Sequence, residues 1–328
     1  LESYPDLGHL ALPVGENPDL YPKGAIAIRL HSIGGWGAIT TGKNLALTAF
    51  ELLGLYVKAN PKYGSEKKGQ PTNFFAILSP DPVKLNAELK HVNVVLSPDP
   101  NVFMNGDPLA GLSANGVFII QSDQSPEALW ASFPAEAQRT IRDRNIRVYA
   151  LDGFKIAHEE ASDADLRYRM QGAAFMGAFF AVSPLMERHG LDRASLFQGI
   201  EDQLEKKFGK RGHHVVDDNL RVIQRGFDEI VTVEHGEVAA AQSGTEAVPH
   251  IPSVLDNPQA LPGLGNPGRF WEQVCAYCQT SGEDAIADPF AAVSVIPAAT
   301  SAVRDMSNIR FEVPDFIAER CTGCSQCW

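Results

Sequence analysis

The sequence holds no apolar run long enough to cross a membrane as a helix, which takes about 18 residues. The longest weakly polar stretch, Gly172 to Met186, is interrupted by Ser183-Pro184 and reads as a buried helix. No basic patch interleaved with aromatics is present either. The net charge of −12 argues against nucleic acid, whose phosphates demand a basic face. No signal peptide is visible. Cysteine is scarce: there are five, three of them clustered near the end, which fits a reducing, cytoplasmic compartment better than a disulfide scaffold. What remains is ordinary for a globular protein, with 44% hydrophobic and 21% charged residues. The 328 residues suffice for one large domain or two modest ones.

The cysteine cluster is the sharpest motif. Cys321, Cys324 and Cys327 form C-x₂-C-x₂-C, the opening of the bacterial ferredoxin run that grips a 4Fe–4S cluster. The full run continues to a fourth Cys and a Pro, and the sequence stops at Trp328 first. Position 1 is Leu rather than Met, so both ends read as cuts through a longer polypeptide. Zinc is the competing reading, but zinc sites pair two C-x₂-C elements at closer spacing than the distant Cys275 and Cys278 allow. Those two read as free thiols or as a separate metal pair.

Residues 1–23 are Pro- and Gly-rich and read as a connection from a preceding domain. From Gly24 the pattern alternates. Strands are expected at Gly24–His31, Leu55–Ala59, Asn73–Leu78, Asn93–Leu96, Gly116–Gln121 and Ile146–Leu151. Helices are expected at Ala38–Leu52, Val83–Lys90, Glu127–Arg144, Leu166–Arg188, Asp192–Phe208 and Val216–Ile230. That alternation predicts an α/β fold over residues 24–233: a doubly wound, Rossmann-like, mostly parallel sheet. Residues 234–315 are dense in Pro and Gly and read as an extended irregular linker. Residues 316–328 read as the start of a ferredoxin-type domain.

Gly34, Gly35 and Gly37 follow the first strand, where a Gly-rich turn cradles a phosphate at a helix N-terminus or simply packs helix on strand. A dinucleotide site would add an acid at the end of the second strand, and Val57–Lys62 has none. The basic run Lys206–Arg211 closes the helix begun near Asp192, with Gly209 or Gly212 suited to the C′ position. His213 and His214 read as surface residues.

These motifs resemble one family. Ser32-Ile-Gly-Gly-Trp-Gly37, Tyr63-Gly-Ser-Glu-Lys-Lys-Gly69 and Val215-Val-Asp-Asp-Asn219 with Gly226 resemble the gamma domain of the 2-oxoacid:ferredoxin oxidoreductases. Ile296–Ala302, Phe311–Phe316 and Glu319–Cys324 resemble the junction by which pyruvate:ferredoxin (flavodoxin) oxidoreductases enter their two-cluster domain. Ser32, Trp36, Lys68 and Gln70 depart from the family pattern.

The resemblance implies oxidative decarboxylation of a 2-oxoacid, pyruvate by analogy, to an acyl-CoA. Thiamine diphosphate and Mg would be the carbon-chemistry cofactors, and electrons would pass through 4Fe–4S clusters to ferredoxin or flavodoxin. Neither Gly106-Asp107-Pro108 nor Leu151-Asp152-Gly153 fits a thiamine motif, so that site is expected elsewhere in the enzyme. Coenzyme A is expected at the turn Gly34, Gly35 and Gly37 and the loop Tyr63, Gly64, Lys67, Lys68 and Gly69. The cluster ligands are expected to be Cys321, Cys324 and Cys327. Expected partners are the remaining domains or subunits and further copies of the same chain. Two competing readings are a non-catalytic scaffold domain and a ferredoxin-linked flavoprotein.

Overall fold

The computed structural model describes residues 21–62, 69, 71–85, 88–163, 166–238, 266–271, 289–295 and 317–324. One seven-stranded sheet organises them, in the order β2-β3-β1-β4-β5-β6-β7. The strands are β1 (Ile26–Ile33), β2 (Tyr56–Lys62), β3 (Pro71–Ser79), β4 (Val92–Ser97), β5 (Leu112–Gln121), β6 (Arg147–Leu151) and β7 (Val231–Val233). The strands β1, β4, β5 and β6 run parallel. A hairpin, β2–β3, adds antiparallel to β1, pairing Ile26 with Leu78 and Ile33 with Pro71. At the other edge β7 adds antiparallel to β6. The sheet is thus α/β and mostly parallel as expected, with antiparallel edges.

Helices cover both faces. One face carries α1 (Ala38–Glu51), α5 (Gly153–Glu160), α6 (Arg167–Val182), α8 (Arg193–Phe208) and α9 (His213–Asp228) over Ile28, Leu30, Phe74, Leu96 and Ile119. The other carries α2 (Val102–Asn105), α3 (Pro126–Ser132) and α4 (Ala135–Asp143) over Ala27, Phe75, Val95, Phe118 and Ile120. Strand alternation thus sends even-numbered β1 residues to the first core and odd-numbered ones to the second. Among the odd ones, Arg29 donates to the carbonyls of Pro108 (2.9 Å) and Ala110 (2.6 Å). Burial, reinforced by the Arg29 charge, pushes the His31 pKa down to about 3, so its imidazole is neutral.

Three helical expectations need correction. Residues 83–85 and 88–90 are not helical; Val83, Leu85 and Leu89 instead cover the second core from irregular chain. Glu127–Arg144 splits into α3 and α4 because Phe133 turns extended ahead of Pro134. Leu166–Arg188 splits likewise, where Ser183 turns extended ahead of Pro184 and α7 (Leu185–Arg188) begins. Helix α6 is buried on every side from Met170 to Phe180. Among the described residues, no helix is long and apolar enough to cross a membrane.

Two glycine contacts set how α6 packs. A Cβ at Gly177 would lie 1.9 Å from the Ile223 carbonyl, and one at Gly226 would lie 2.0 Å from the Ala174 carbonyl. Helices α6 and α9 therefore touch backbone to backbone. On the opposite face, the segment after β7 straps onto α3. Trp130 Nε1 donates to the Glu237 carbonyl at 3.0 Å, and His235 stacks on the indole at 5.5 Å between centroids. His235 Nε2 faces the Ile146 carbonyl at 2.8 Å, so it carries the proton and donates. Gly236 passes so close that a Cβ would lie 2.7 Å from the indole.

Candidate functional site

The glycine turn sits at the carboxyl end of β1. Its Trp36 N–H donates to the Ile33 carbonyl at 3.1 Å, and the Trp36 ring meets Phe154 edge-on at 5.2 Å. Gly35 and Gly37 take φ of 101° and 86°, which side-chain-bearing residues rarely adopt. Gly37 is the N-cap of α1 and supplies no capping side chain. The first N–H groups of α1 therefore lack the partner that a Ser or Asp would give. A Cβ at Gly37 would lie 2.4 Å from the Arg169 carbonyl, so the glycine lets the start of α6 press against the turn.

Above the turn opens a cleft of about 630 Å³. Its walls come from five places: the turn with the start of α1, Thr72 on β3, Arg169 and Met170 on α6, Lys207 and Phe208 closing α8, and Asn219 on α9. Both charged side chains lining it are cations, and neither has an ion-pair partner among the described residues. Lys207 donates to Asn44 Oδ1 at 2.6 Å and lies 5.4 Å from the Phe208 ring centroid. Partial burial, helped by the Lys43 charge, lowers its pKa. A counter-anion would relieve that penalty.

The turn and the 63–69 loop meet: the Gly69 N–H donates to the Gly34 carbonyl at 2.9 Å. Tyr63, Gly64, Lys67 and Lys68 lie outside the described residues. Gly34, Gly35 and Gly37 line the cleft. Arg169, Phe208 and Asn219 do so without having been singled out as site residues from the sequence, and Lys207 without having been favoured for binding. The only signals available were the basic run for Lys207 and the Val215–Asn219 motif for Asn219. The rest of that motif is architectural: buried Asp218 accepts from Ser162 N (2.9 Å) and Oγ (3.1 Å) and pairs with Arg221. Lys206 and Lys207 close α8, and the chain leaves through a 3₁₀ turn at Gly209–Arg211, with Gly212 at φ 115°. Gly209 itself stays right-handed, so of the two glycines it is Gly212 that takes the positive φ.

Neither acidic candidate for a thiamine site is free. Asp107 Oδ1 accepts from the Leu109 N–H at 2.8 Å, and Asp152 Oδ1 accepts from Lys155 N–H (3.1 Å) and Gln121 Nε2 (3.0 Å). The residues described do not fit that cofactor. Cys321 and Cys324 are exposed and follow a 3₁₀ turn at Ala318–Arg320, and Gly323 between them takes φ 66°. Two exposed thiols on one curled loop suit iron–sulfur ligation. Cys327, Cys275 and Cys278 lie outside the described residues.

Residues 27–229 match the family model described as pyruvate ferredoxin/flavodoxin oxidoreductase. The chain is 22% identical over 322 residues to the pyruvate:ferredoxin oxidoreductase of Moorella thermoacetica, covering 98% of this chain and 25% of that protein. It is 35% identical over 209 residues to the pyruvate/ketoisovalerate oxidoreductases common subunit gamma of Thermococcus kodakarensis, covering 64% of this chain and 99% of that subunit. The solved PORC subunit of pyruvate oxidoreductase from Thermotoga maritima is 24% identical, with a TM-score of 0.48, covering 65% of this chain and all of that one. The chain spans about a quarter of the length of the pyruvate:ferredoxin and pyruvate-flavodoxin oxidoreductases it matches.

Proposed function

The chain belongs to the pyruvate ferredoxin/flavodoxin oxidoreductase family, and from that premise we propose that its α/β unit is the gamma part of an enzyme that oxidatively decarboxylates a 2-oxoacid, with the glycine-turn cleft receiving coenzyme A. Pyruvate is the substrate of choice, and ferredoxin or flavodoxin is the acceptor. Residues 1–23 lead in, 24–233 form the gamma unit, 234–315 connect, and 316–328 begin the cluster domain. Cys321, Cys324 and Cys327 ligate one 4Fe–4S cluster together with a ligand outside this sequence. The whole enzyme is cytoplasmic and oligomeric.

The observation that carries the cleft assignment is that Arg169 and Lys207, neither with an ion-pair partner among the described residues, line one cleft with an uncapped helix start. Coenzyme A brings a pyrophosphate and a 3′-phosphate. Backbone N–H groups and cations are what such anions take as partners. Thiamine diphosphate supplies the carbon chemistry from elsewhere in the enzyme. This chain's part is to bind and orient the acyl acceptor.

The test uses the intact enzyme with several 2-oxoacids, coenzyme A and a viologen dye. Turnover should be fastest with pyruvate. Arg169→Ala should raise the KM for coenzyme A about fivefold, the effect of losing one exposed charged contact. It should leave decarboxylation measured without coenzyme A unchanged. An unaltered KM for coenzyme A would mean that the unit is a scaffold instead.

A further inference from the structure

A second cavity, of about 360 Å³, lies between α1 and α8. Its lining is apolar at Leu47 on α1, Met176 on α6, Ile200 and Leu204 on α8, and Ile223 on α9. Leu47 is 44% exposed and opens the groove to solvent, while the other four are buried. Most of the polar lining is paired within the fold. Gln203 accepts from Thr48 Oγ1 at 2.7 Å and donates to Glu51 at 3.1 Å, and the Lys206 ammonium lies 3.9 Å from the same Glu51 carboxylate. Lys207 is the exception. Its ammonium has three hydrogens to give, and its hydrogen bond goes to Asn44, which also lines the groove. It has no ion-pair partner among the described residues. Lys207 also lines the glycine-turn cleft, so two adjoining cavities share one cation.

We infer that the α1–α8 groove takes a medium-chain carboxylate, its chain on the apolar lining and its carboxylate on Lys207, and that this ligand weakens coenzyme A in the cleft. Only the effect on coenzyme A rests on the reading of the cleft as its site; binding in the groove does not. The volume falls within the range that holds small ligands. The apolar lining disfavours a strongly hydrated or multiply charged ligand, because burying such groups against hydrocarbon is costly. A lone ammonium there calls for a single counter-anion, and partial burial already works against its charge when none is present. One ammonium cannot serve a carboxylate and a phosphate at full strength together. The groove ligand can therefore take from the cleft no more than Lys207 gives to it. The antagonism is partial, and it is reciprocal.

The experiment adds octanoate to the intact enzyme and follows both calorimetric binding and the KM for coenzyme A. Octanoate should bind, and the KM should rise to a plateau about threefold above its starting value, the level that Lys207→Ala reaches alone. Lys207→Ala should show no further rise. Butyrate lacks the chain and octanol lacks the charge, so neither should move the KM; equal action by either would overturn the chemistry assigned. Leu47→Asn removes an apolar wall at an exposed position outside the cleft. It should keep the starting KM and need about fivefold more octanoate to reach the plateau, part of what a buried leucine contributes. A KM that climbs without a plateau would put octanoate in the cleft itself and overturn the groove. So would octanoate binding that is absent, or equal in wild type, Leu47→Asn and Lys207→Ala. If binding weakens in both variants but the KM for coenzyme A responds neither to octanoate nor to Lys207→Ala, the groove stands and the coenzyme A reading of the cleft falls.

Discussion

The two faces of the sheet each use glycine to bring backbone against a bulky neighbour, and they finish the job differently. On the α3–α4 face, Gly236 slides under Trp130, and two hydrogen bonds close the joint, from the indole N–H to the Glu237 carbonyl and from His235 Nε2 to the Ile146 carbonyl. On the α1–α6 face, Gly37 lets the Arg169 backbone press in, yet the helix start stays uncapped and the Arg169 and Lys207 charges have no ion pair among the described residues. The same residue type makes a finished joint in one place and an unfinished one in the other. Satisfied polar groups stabilise a fold, whereas unsatisfied ones clustered in a cleft call for a ligand.

Trp130→Ala tests the finished joint. It should cost about 4 kcal/mol of stability, as for other buried Trp truncations, read by chemical denaturation. It should also speed hydrogen exchange across residues 235–237. The KM for coenzyme A should not move; a parallel change would mean that the two faces are not independent.

Gly37→Val attacks the unfinished joint. The left-handed φ and the Arg169 carbonyl both oppose a side chain, so the variant should lose about 3 kcal/mol and melt several degrees lower. Coenzyme A should then bind poorly even to protein that has folded. Tight binding would show that the turn is only packing.

A pH titration separates the faces again, because His31 points toward the strap side. Its folded pKa of about 3 lies below the ordinary histidine value of 6.5. The unfolded chain therefore takes up a proton that the folded one refuses. Stability is complete above pH 6.5 and falls as the pH drops toward 3. Between pH 6.5 and 4.5 the loss should be about 2 kcal/mol, and His31→Leu should remove that slope.

Lys207→Ala should have the smallest effect on the fold. It gives up one exposed hydrogen bond to Asn44, so stability should stay within about 0.5 kcal/mol of wild type. The KM for coenzyme A should rise about threefold, measured by steady-state kinetics. A large stability loss with no kinetic change would recast the residue as architecture.

Much of this was legible in the sequence. The strand at β1, the helix behind it and the glycine turn between them are local patterns, and they sit where periodicity puts them. The hairpin was not legible as one. Leu55–Ala59 and Asn73–Leu78 read as strands, but only tertiary pairing shows that they run antiparallel beside β1. Val83, Leu85 and Leu89 mimic a helical stripe because an irregular segment covering a core also buries apolar side chains at intervals. The cleft was half legible. Its glycines announce themselves, whereas Arg169, Lys207 and Asn219 arrive from more than a hundred residues away, on helices whose packing no local pattern encodes.

The backbone contact of α6 and α9 at Gly177 and Gly226 has a consequence for affinity. Arg169 and Asn219, which both line the cleft, ride on helices that cannot slide past each other without a backbone clash. The spacing between these two parts of the cleft wall is fixed before any ligand arrives. The conformational entropy of arranging them is lost once, when the chain folds, and not again at each encounter.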